Sequence, residues 1–293
     1  MKTIILFICF TLILYIIYTI VITHYFRKKN DVISYNVLLK NYIHNVSKNN
    51  YFMNYGLWDD TVNDLAEANK NLINLVFNKS EMTNKTNLNI LDVGCGYGEQ
   101  DIEWLKHLDN SCKITAVDIS EEQIYNAMKK NSNVNFDICD AAYIGLKYKN
   151  NLFDRVVSLE SAFHYPERNV FFKNVNSLLK DNGKFIITDI MLNNSHNENI
   201  ITKIFLYIFA DVLCIPKQNL ISASDWDKQL SSELNIEESI NITDKTFNPY
   251  YIHFMTNYCK NSNWPDWVGN ALTTFFCSNQ PFIYKVVVCT KKT

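Results

Sequence analysis

The stretch NILDVGCGYGEQ, residues 89–100, constrains the fold of this chain more than any other part of the sequence. It begins as a short apolar run, broken only by Asp92, and then places glycines at alternate positions, Gly94, Gly96 and Gly98. Glycines at the end of a strand allow positive φ and let the backbone approach a ligand without a Cβ in the way. Acidic and then apolar residues at helical spacing follow. The stretch therefore predicts a strand, a tight ligand-binding turn and a helix whose N-terminus faces the ligand.

The spacing of the glycines distinguishes between two ligand classes. A dinucleotide turn needs G-x-G-x-x-G, and its third glycine would fall at Glu99. The spacing here is G-x-G-x-G, and an acid, Asp92, precedes it by two residues, which suits a cationic ligand better than a diphosphate. The stretch resembles motif I of the class I S-adenosylmethionine (SAM) dependent methyltransferases at every position. That resemblance implies SAM as the cofactor, and it implies cofactor contacts from Asp92, Gly94, Cys95, Gly96 and Gly98.

The next two strands add further candidates for cofactor binding. The run KITAVD, residues 113–118, predicts a second strand that ends in Asp118, from where a carboxylate can accept both ribose hydroxyls of the cofactor. A helix cap is the alternative role for this acid. We expect Ile119 to present an apolar face to the adenine. After a third strand, residues 134–139, the resemblance implies an adenine contact by Asp140 and Ala141.

The loop ESAFHYPER, residues 160–168, follows a predicted fourth strand, at the edge where open α/β sheets place their chemistry. It lacks the N-P-P-Y type motif of enzymes that methylate nitrogen on bases or glutamine. It resembles instead the E-S-x-x-H of natural-product and tocopherol-type methyltransferases, which implies a site role for Glu160. His164 is the candidate catalytic residue, since an ordinary histidine pKa suits a general base near neutrality. A histidine that only holds the loop is the alternative.

These elements predict an α/β fold, with a Rossmann-like seven-stranded class I methyltransferase sheet flanked by helices. Strand five is expected over 184–190, after a turn at 180–183, and an antiparallel last strand over 282–290. We expect an α-helical lid insertion between them, rich in aromatic residues. Before the core, the segment YFMNYGLWDD resembles one that covers the cofactor in tocopherol and sterol enzymes, which implies a cofactor contact by Tyr55. A plain core corner is the alternative.

Residues 4–23 contain no charged side chain and are long enough to cross a bilayer as a helix. Three basic residues follow, which favours a single-pass N-terminal anchor with the catalytic domain in the cytosol. The expected organisation is a membrane anchor with its basic flank (1–29), N-terminal helices and the aromatic segment (30–87), a SAM-binding core (88–192), and a substrate-binding insertion with the final strands (193–293).

Composition excludes other partners and narrows the function. A net charge of −2 gives no footprint for nucleic acid, and eight scattered cysteines without a C-x-x-C pair predict no metal site. We therefore predict a SAM-dependent methyltransferase that acts by in-line displacement on a small hydrophobic or amphipathic acceptor, such as a lipid, sterol, quinone or natural product. The alternatives are a membrane-tethered, non-catalytic methyltransferase-like scaffold and an NAD-dependent oxidoreductase.

Overall fold

The structure is a computed structural model that describes residues 50–193, 206–207, 210, 213–257 and 281–293. The expected membrane anchor, residues 4–23, lies outside the described residues, and so do parts of the expected lid insertion, residues 194–205, 208–209, 211–212 and 258–280. Across the described ranges, no helix combines the length and the apolar character needed to cross a membrane.

A seven-stranded sheet forms the centre of the described chain, in the order β3-β2-β1-β4-β5-β7-β6. The strands are β1 (Asn89–Val93), β2 (Lys113–Asp118), β3 (Asn135–Ile138), β4 (Phe153–Leu159), β5 (Leu179–Leu192), β6 (Leu234–Asn241) and β7 (Phe282–Lys291). Neighbouring strands from β3 to β5 are parallel, whereas β7 pairs antiparallel with both β5 and β6. The predicted Rossmann-like sheet and its antiparallel last strand are confirmed.

The central strands are apolar because side chains pack against both faces of the sheet. In β1, Ile90 and Leu91 are both fully buried, yet they belong to two different hydrophobic clusters, one on each face. The last strand repeats this pattern, since Val286 joins one cluster and Val287 the other. Such strands read as continuous apolar runs, which is why the sequence located them.

Helices flank the sheet. Those whose bounds lie within the described residues are α1 (Leu65–Lys79), α2 (Glu99–Leu105), α3 (Glu121–Lys130), α4 (Ile144–Lys147), α5 (Arg168–Leu178), α6 (Ala223–Glu233) and α7 (Phe247–Asn257). Side chains cap three of them, since Asp64, Ser120 and Ser222 accept backbone N–H groups at the starts of α1, α3 and α6.

Strand five begins earlier than the sequence predicts. The pattern predicted a turn at 180–183, but β5 already starts at Leu179, which pairs with Phe153 before the register shifts. Neither Asn182 nor Gly183 adopts a positive φ. The segment is therefore an irregular extension of the strand, and the left-handed conformation that these two residues allow is not used.

The sheet brings the predicted site residues to one edge. The parallel strands β1, β2 and β4 end side by side there, and they are followed by the glycine turn, Ile119 and Glu160. The N–H groups of Gly94 and Cys95 donate to the carbonyl oxygen of Val117, at 2.7 and 3.0 Å. These bonds fold the turn back against the end of β2.

Candidate functional site

A cavity lies at this edge of the sheet, between the glycine turn and the irregular chain that precedes α1. It brings together side chains from distant parts of the sequence. The predicted site residues that line it are Tyr55, Gly94, Cys95, Gly96, Asp118, Glu160 and His164.

The glycine turn has the left-handed backbone that its sequence predicts. Gly96 has φ +57°, and a Cβ built on it would have Gln123 Oε1 at 3.2 Å and Met53 as its nearest neighbours, both of which line the cavity. A Cβ on Gly98 would instead lie 2.5 Å from the ring of Phe136. Gly96 therefore leaves open a space where a ligand can approach the backbone, whereas Gly98 is needed for packing.

Asp118 connects the end of β2 to the turn. Its Oδ2 accepts the N–H of Gly96 at 3.0 Å, and its Oδ1 accepts the N–H of Ser120 at 2.9 Å. Burial raises the pKa of this carboxyl group, and the backbone N–H bonds oppose that rise. Each carboxylate oxygen retains a further lone pair for a ligand hydroxyl. This geometry fits the predicted role of holding a ribose.

Asp92 lies behind the turn and does not line the cavity. It is fully buried, and its Oδ2 accepts Gln100 Nε2 at 2.5 Å, while Gln100 itself lines the cavity. The buried carboxyl group of Asp101 lies beside it, and both oxygens of Asp101 lack a hydrogen-bond partner among the described residues. Burial raises the pKa of Asp92 to about 7 and the pKa of Asp101 well above its ordinary value. Two buried carboxyl groups in contact cannot both ionise readily. The pair therefore carries no more than one negative charge beneath the turn near neutral pH, and Gln100 connects it to the cavity.

Three further candidates do not line the cavity, and their adenine contacts stay predictions. Ile119 is 50% exposed, beside the end of β2. Asp140 Oδ1 accepts the N–H of Ala142 at 2.8 Å and so begins a short 3-10 helix, while Ala141 is buried in the core. A turn aspartate acting as a helix cap accounts for the observed conformation of Asp140.

Glu160 connects β4 to two other parts of the chain. Its Oε1 and Oε2 accept the N–H of Tyr55 at 2.9 and 3.1 Å, and its Oε1 also accepts the hydroxyl of Tyr284. The residue has φ +49°, a left-handed conformation that is uncommon outside glycine. Burial raises the pKa of its carboxyl group to about 8. The acid is thus held in position by contacts from both ends of the described chain.

His164 lines the cavity as a neutral imidazole. Its Nδ1 lies 3.3 Å from the carbonyl oxygen of Cys214, and because a carbonyl can only accept, Nδ1 carries the proton. The unprotonated nitrogen is therefore Nε2. The sequence-based expectation of an ordinary pKa is wrong, since burial lowers the pKa of His164 to about 4. The side chain stays uncharged across the physiological pH range.

Residues 51–58, the strap, form the wall opposite the glycine turn. The N–H of Leu57 donates to the carbonyl of Ala68 at 2.8 Å, and the buried Asn69 of α1 donates to Asn54 Oδ1 at 2.9 Å. At its N-terminal end, the Tyr51 ring lies under Lys130 Nζ at 4.0 Å. The strap is thus attached to two helices, to α1 through Ala68 and Asn69 and to α3 through Lys130.

Most of the cavity wall was not predicted residue by residue. The additional lining residues are Tyr51, Phe52, Met53, Asn54, Tyr97, Glu99, Gln100, Gln123, Leu159, Ser161, Phe163, Leu213 and Tyr250. Several of them are neighbours of predicted site residues in the sequence. The sequence therefore places them near the site, but it does not show whether their side chains point into the cavity. The sequence analysis also missed Tyr284. A tyrosine in a buried strand indicates a polar partner nearby, because its buried hydroxyl needs a hydrogen bond.

Known proteins that resemble this chain in sequence include methyltransferases. The family described as "Methyltransferase domain" matches residues 84–233, about half of the chain. Erythromycin 3''-O-methyltransferase of Saccharopolyspora erythraea is 31% identical over 152 residues, which are 50% of this chain and 49% of that protein. The chain spans about half the length of the curated relatives it matches.

Solved structures show the same fold at low sequence identity. Geranyl diphosphate C-methyltransferase from Streptomyces coelicolor, in complex with Mg²⁺, geranyl diphosphate and S-adenosyl-L-homocysteine, aligns with a TM-score of 0.64 at 12% identity, over 87% of this chain and 98% of that chain. The cyclase SpnF aligns with a TM-score of 0.67 at 18% identity, over 87% and 93%. The likeness concerns the fold alone, and the second case shows that one fold serves more than one reaction.

Proposed function

The chain belongs to the methyltransferase domain family, whose cofactor is S-adenosylmethionine, and we propose that it transfers the methyl group to a small hydrophobic or amphipathic acceptor. The observation that carries this proposal is the composition of the cavity wall beyond the glycine turn. Tyr55, Phe163, Leu213 and Tyr250 are among its residues, and Glu160 lies beside them. Such a wall favours an acceptor with a large apolar surface.

The residues on the other side fit the cofactor. The space beside Gly96 admits the ligand to the backbone, and Asp118 has lone pairs for the ribose hydroxyls. The negative charge that the Asp92 and Asp101 pair can carry complements a cationic ligand. Glu99 begins α2 where a dinucleotide turn would require a third glycine. These features support SAM over a nicotinamide cofactor.

When bound, SAM supplies a methyl group that its sulfonium has already activated. The protein's contribution is therefore to position the acceptor, exclude water and receive a proton. His164 would act as the proton acceptor through Nε2, because Nδ1 already donates to Cys214. A pKa of about 4 makes it a weak base. An oxygen that has just been methylated is strongly acidic, however, so a weak base suffices to take its proton.

The acceptor class can be tested with labelled SAM. The full-length chain in detergent is incubated with SAM that carries a labelled methyl group, first with a lipid extract and then with an aqueous metabolite extract. We expect labelled product in the organic phase only. Label confined to the aqueous phase would contradict a hydrophobic acceptor.

The same preparation distinguishes the alternatives. Titration calorimetry with SAM should give a binding heat, and its absence would favour a non-catalytic scaffold. A thermal shift caused by NADH but not by SAM would favour an oxidoreductase.

We also propose that residues 4–23 anchor the protein in a membrane, with the catalytic domain in the cytosol. The support is the uncharged length of this segment and the basic residues that follow it. An anchor would place the cavity near lipids, in agreement with an amphipathic acceptor.

A further inference from the structure

The carboxylate of Glu160 joins three parts of the chain that are far apart in sequence. Tyr55, whose N–H it accepts, lies 105 residues earlier, and Tyr284, whose hydroxyl it accepts, lies 124 residues later. Tyr55 belongs to the strap, and Tyr284 belongs to β7, in the interior of the sheet. One side chain therefore connects the strap over the cavity to the rigid sheet below it.

The backbone holds Glu160 in a conformation that requires support. Its φ of +49° is sterically unfavourable for a residue with a Cβ, and its N–H donates to Thr188 Oγ1 of β5 at 2.7 Å. Its carboxyl group lines the same cavity as Gly96 and Asp118, where the cofactor fits. The geometry thus places an ionisable group between the ligand and the strap.

We propose that Glu160 is a charge-sensing latch for the strap. Its carboxyl group binds the Tyr55 N–H more tightly when the cationic cofactor occupies the cavity, and less tightly when the neutral thioether product remains. This inference rests on the proposed function, because it takes SAM as the ligand. Glu160 acts here as a positioning residue, through the Tyr55 N–H.

The proton balance follows from the environment of the acid. Since its pKa is raised to about 8, Glu160 is mainly a neutral carboxylic acid at pH 7. A positive charge nearby favours the ionised form, so binding of the sulfonium releases the carboxyl proton to solvent. A carboxylate forms hydrogen bonds about twice as strong as those of the neutral acid, and the Tyr55 N–H is therefore held more firmly.

Methyl transfer removes the sulfonium charge and reverses this sequence. S-adenosylhomocysteine (SAH) has an uncharged sulfur, so the raised pKa returns and Glu160 takes up a proton from solvent. Its hold on the Tyr55 N–H weakens, and the strap opens more readily over the product. By linkage, the extra proton that SAM displaces gives the slope with which the preference for SAM over SAH changes with pH.

Other titratable groups face Glu160, and they must be separated from it. Tyr55 and Tyr284 adjoin its carboxyl group, His164 follows it in the same loop, and Asp118 lines the same cavity. Asp189 acts on Tyr284 from β5. A variant that changes Glu160 alone leaves these groups in place.

Titration calorimetry of the full-length chain in detergent tests the latch. SAM and SAH are titrated at pH 7 in two buffers of different ionisation enthalpy, so that the buffer dependence gives the number of protons released. For the wild type we expect close to one proton more with SAM than with SAH, since the two ligands differ in the charge on sulfur. In Glu160→Gln, which retains an oxygen for the Tyr55 N–H but no charge, we expect no such difference.

Hydrogen exchange supplies a second readout. SAM should slow the exchange of the peptide covering residues 51–58 more than SAH does in the wild type, and the two ligands should act equally in Glu160→Gln. If that variant does not fold, Tyr284→Phe replaces it. Loss of the hydroxyl removes a bond that lowers the pKa of Glu160, so its SAM-linked proton release should move to higher pH.

The outcomes separate the latch from the proposed function. No binding heat with SAM would overturn the proposed function. Binding heat with equal proton release for SAM and SAH, or a SAM–SAH difference unchanged in Glu160→Gln, would overturn the latch and leave the proposed function standing.

Discussion

At the scale of single residues, two glycines of one turn have different tasks. A Cβ at Gly96 would meet only cavity-lining side chains, whereas one at Gly98 would lie 2.5 Å from Phe136. We expect Gly96→Ala to cost about 1 kcal/mol of folding free energy, for its left-handed φ, and to weaken SAM binding at least about tenfold. Gly98→Ala should cost about 3 kcal/mol, because overpacking adds to the backbone strain.

Denaturant unfolding and SAM titration of both variants measure these two effects. The pair serves as its own control, since both residues have positive φ in the same turn. Equal losses of stability in the two variants would contradict the division of tasks.

The buried, neutral His164 leads to a prediction about how the stability of the fold depends on pH. Its pKa is about 4 in the folded protein, against about 6.5 in an unfolded chain, so the unfolded state binds more protons between these values. The stabilising contribution of the neutral imidazole is therefore complete above pH 6.5 and is lost as the pH falls towards 4. We expect the wild type to lose on the order of 2 kcal/mol relative to His164→Asn between pH 7 and pH 4.5.

Urea unfolding at a series of pH values gives this difference directly. Asparagine can still donate to the Cys214 carbonyl but does not titrate. The contributions of the other titratable groups to the pH dependence of stability are shared by both proteins, so they cancel in the difference. Parallel stability curves would show that His164 is not buried as a neutral base.

At the scale of elements, α1 supports the strap. Asn69 is fully buried in α1 and its amide donates to both the backbone and the side chain of Asn54. Asn69→Ala would remove a donor from both acceptors, and although Asn54 Oδ1 keeps the Gly56 N–H, the loss should cost about 1–3 kcal/mol of stability. Because the strap lines the cavity, we also expect weaker SAM binding.

A helix cap far from the strap provides the matched control. Ser222 accepts the N–H of Asp225 at the start of α6, and Ser222→Ala should cost about 1 kcal/mol of stability. Calorimetry should find SAM affinity lowered in Asn69→Ala and unchanged in Ser222→Ala. Equal affinities would mean that α1 does not position the strap.

The sequence predicted those elements whose signal is local. Strand β2 was placed from Lys113 to Asp118 without error, because an apolar run ends in a polar turn there. The partners of Glu160 could not be predicted, since Tyr55 and Tyr284 are distant in sequence and meet only through the sheet order. The lowered pKa of His164 and the contact of Asp92 with Asp101 depend likewise on tertiary burial, which composition does not report.

At the scale of the whole molecule, the anchor proposal concerns residues outside the described ranges. We expect the full-length chain to remain in the membrane fraction after alkaline extraction, and a chain lacking residues 1–29 to be released. A reporter fused to residues 1–29 should be retained in the membrane as well. Release of the full-length chain by alkali would contradict a spanning anchor.

The position of β7 between β5 and β6 has a consequence for biosynthesis. On the ribosome, the part of the chain that contains the glycine turn emerges long before β7, and until β7 arrives β5 and β6 have no strand between them. Tyr284 can reach Glu160 only after β7 has been synthesised. A nascent chain can thus form most of its sheet early, yet it gains its complete ligand site only once β7 has joined that sheet.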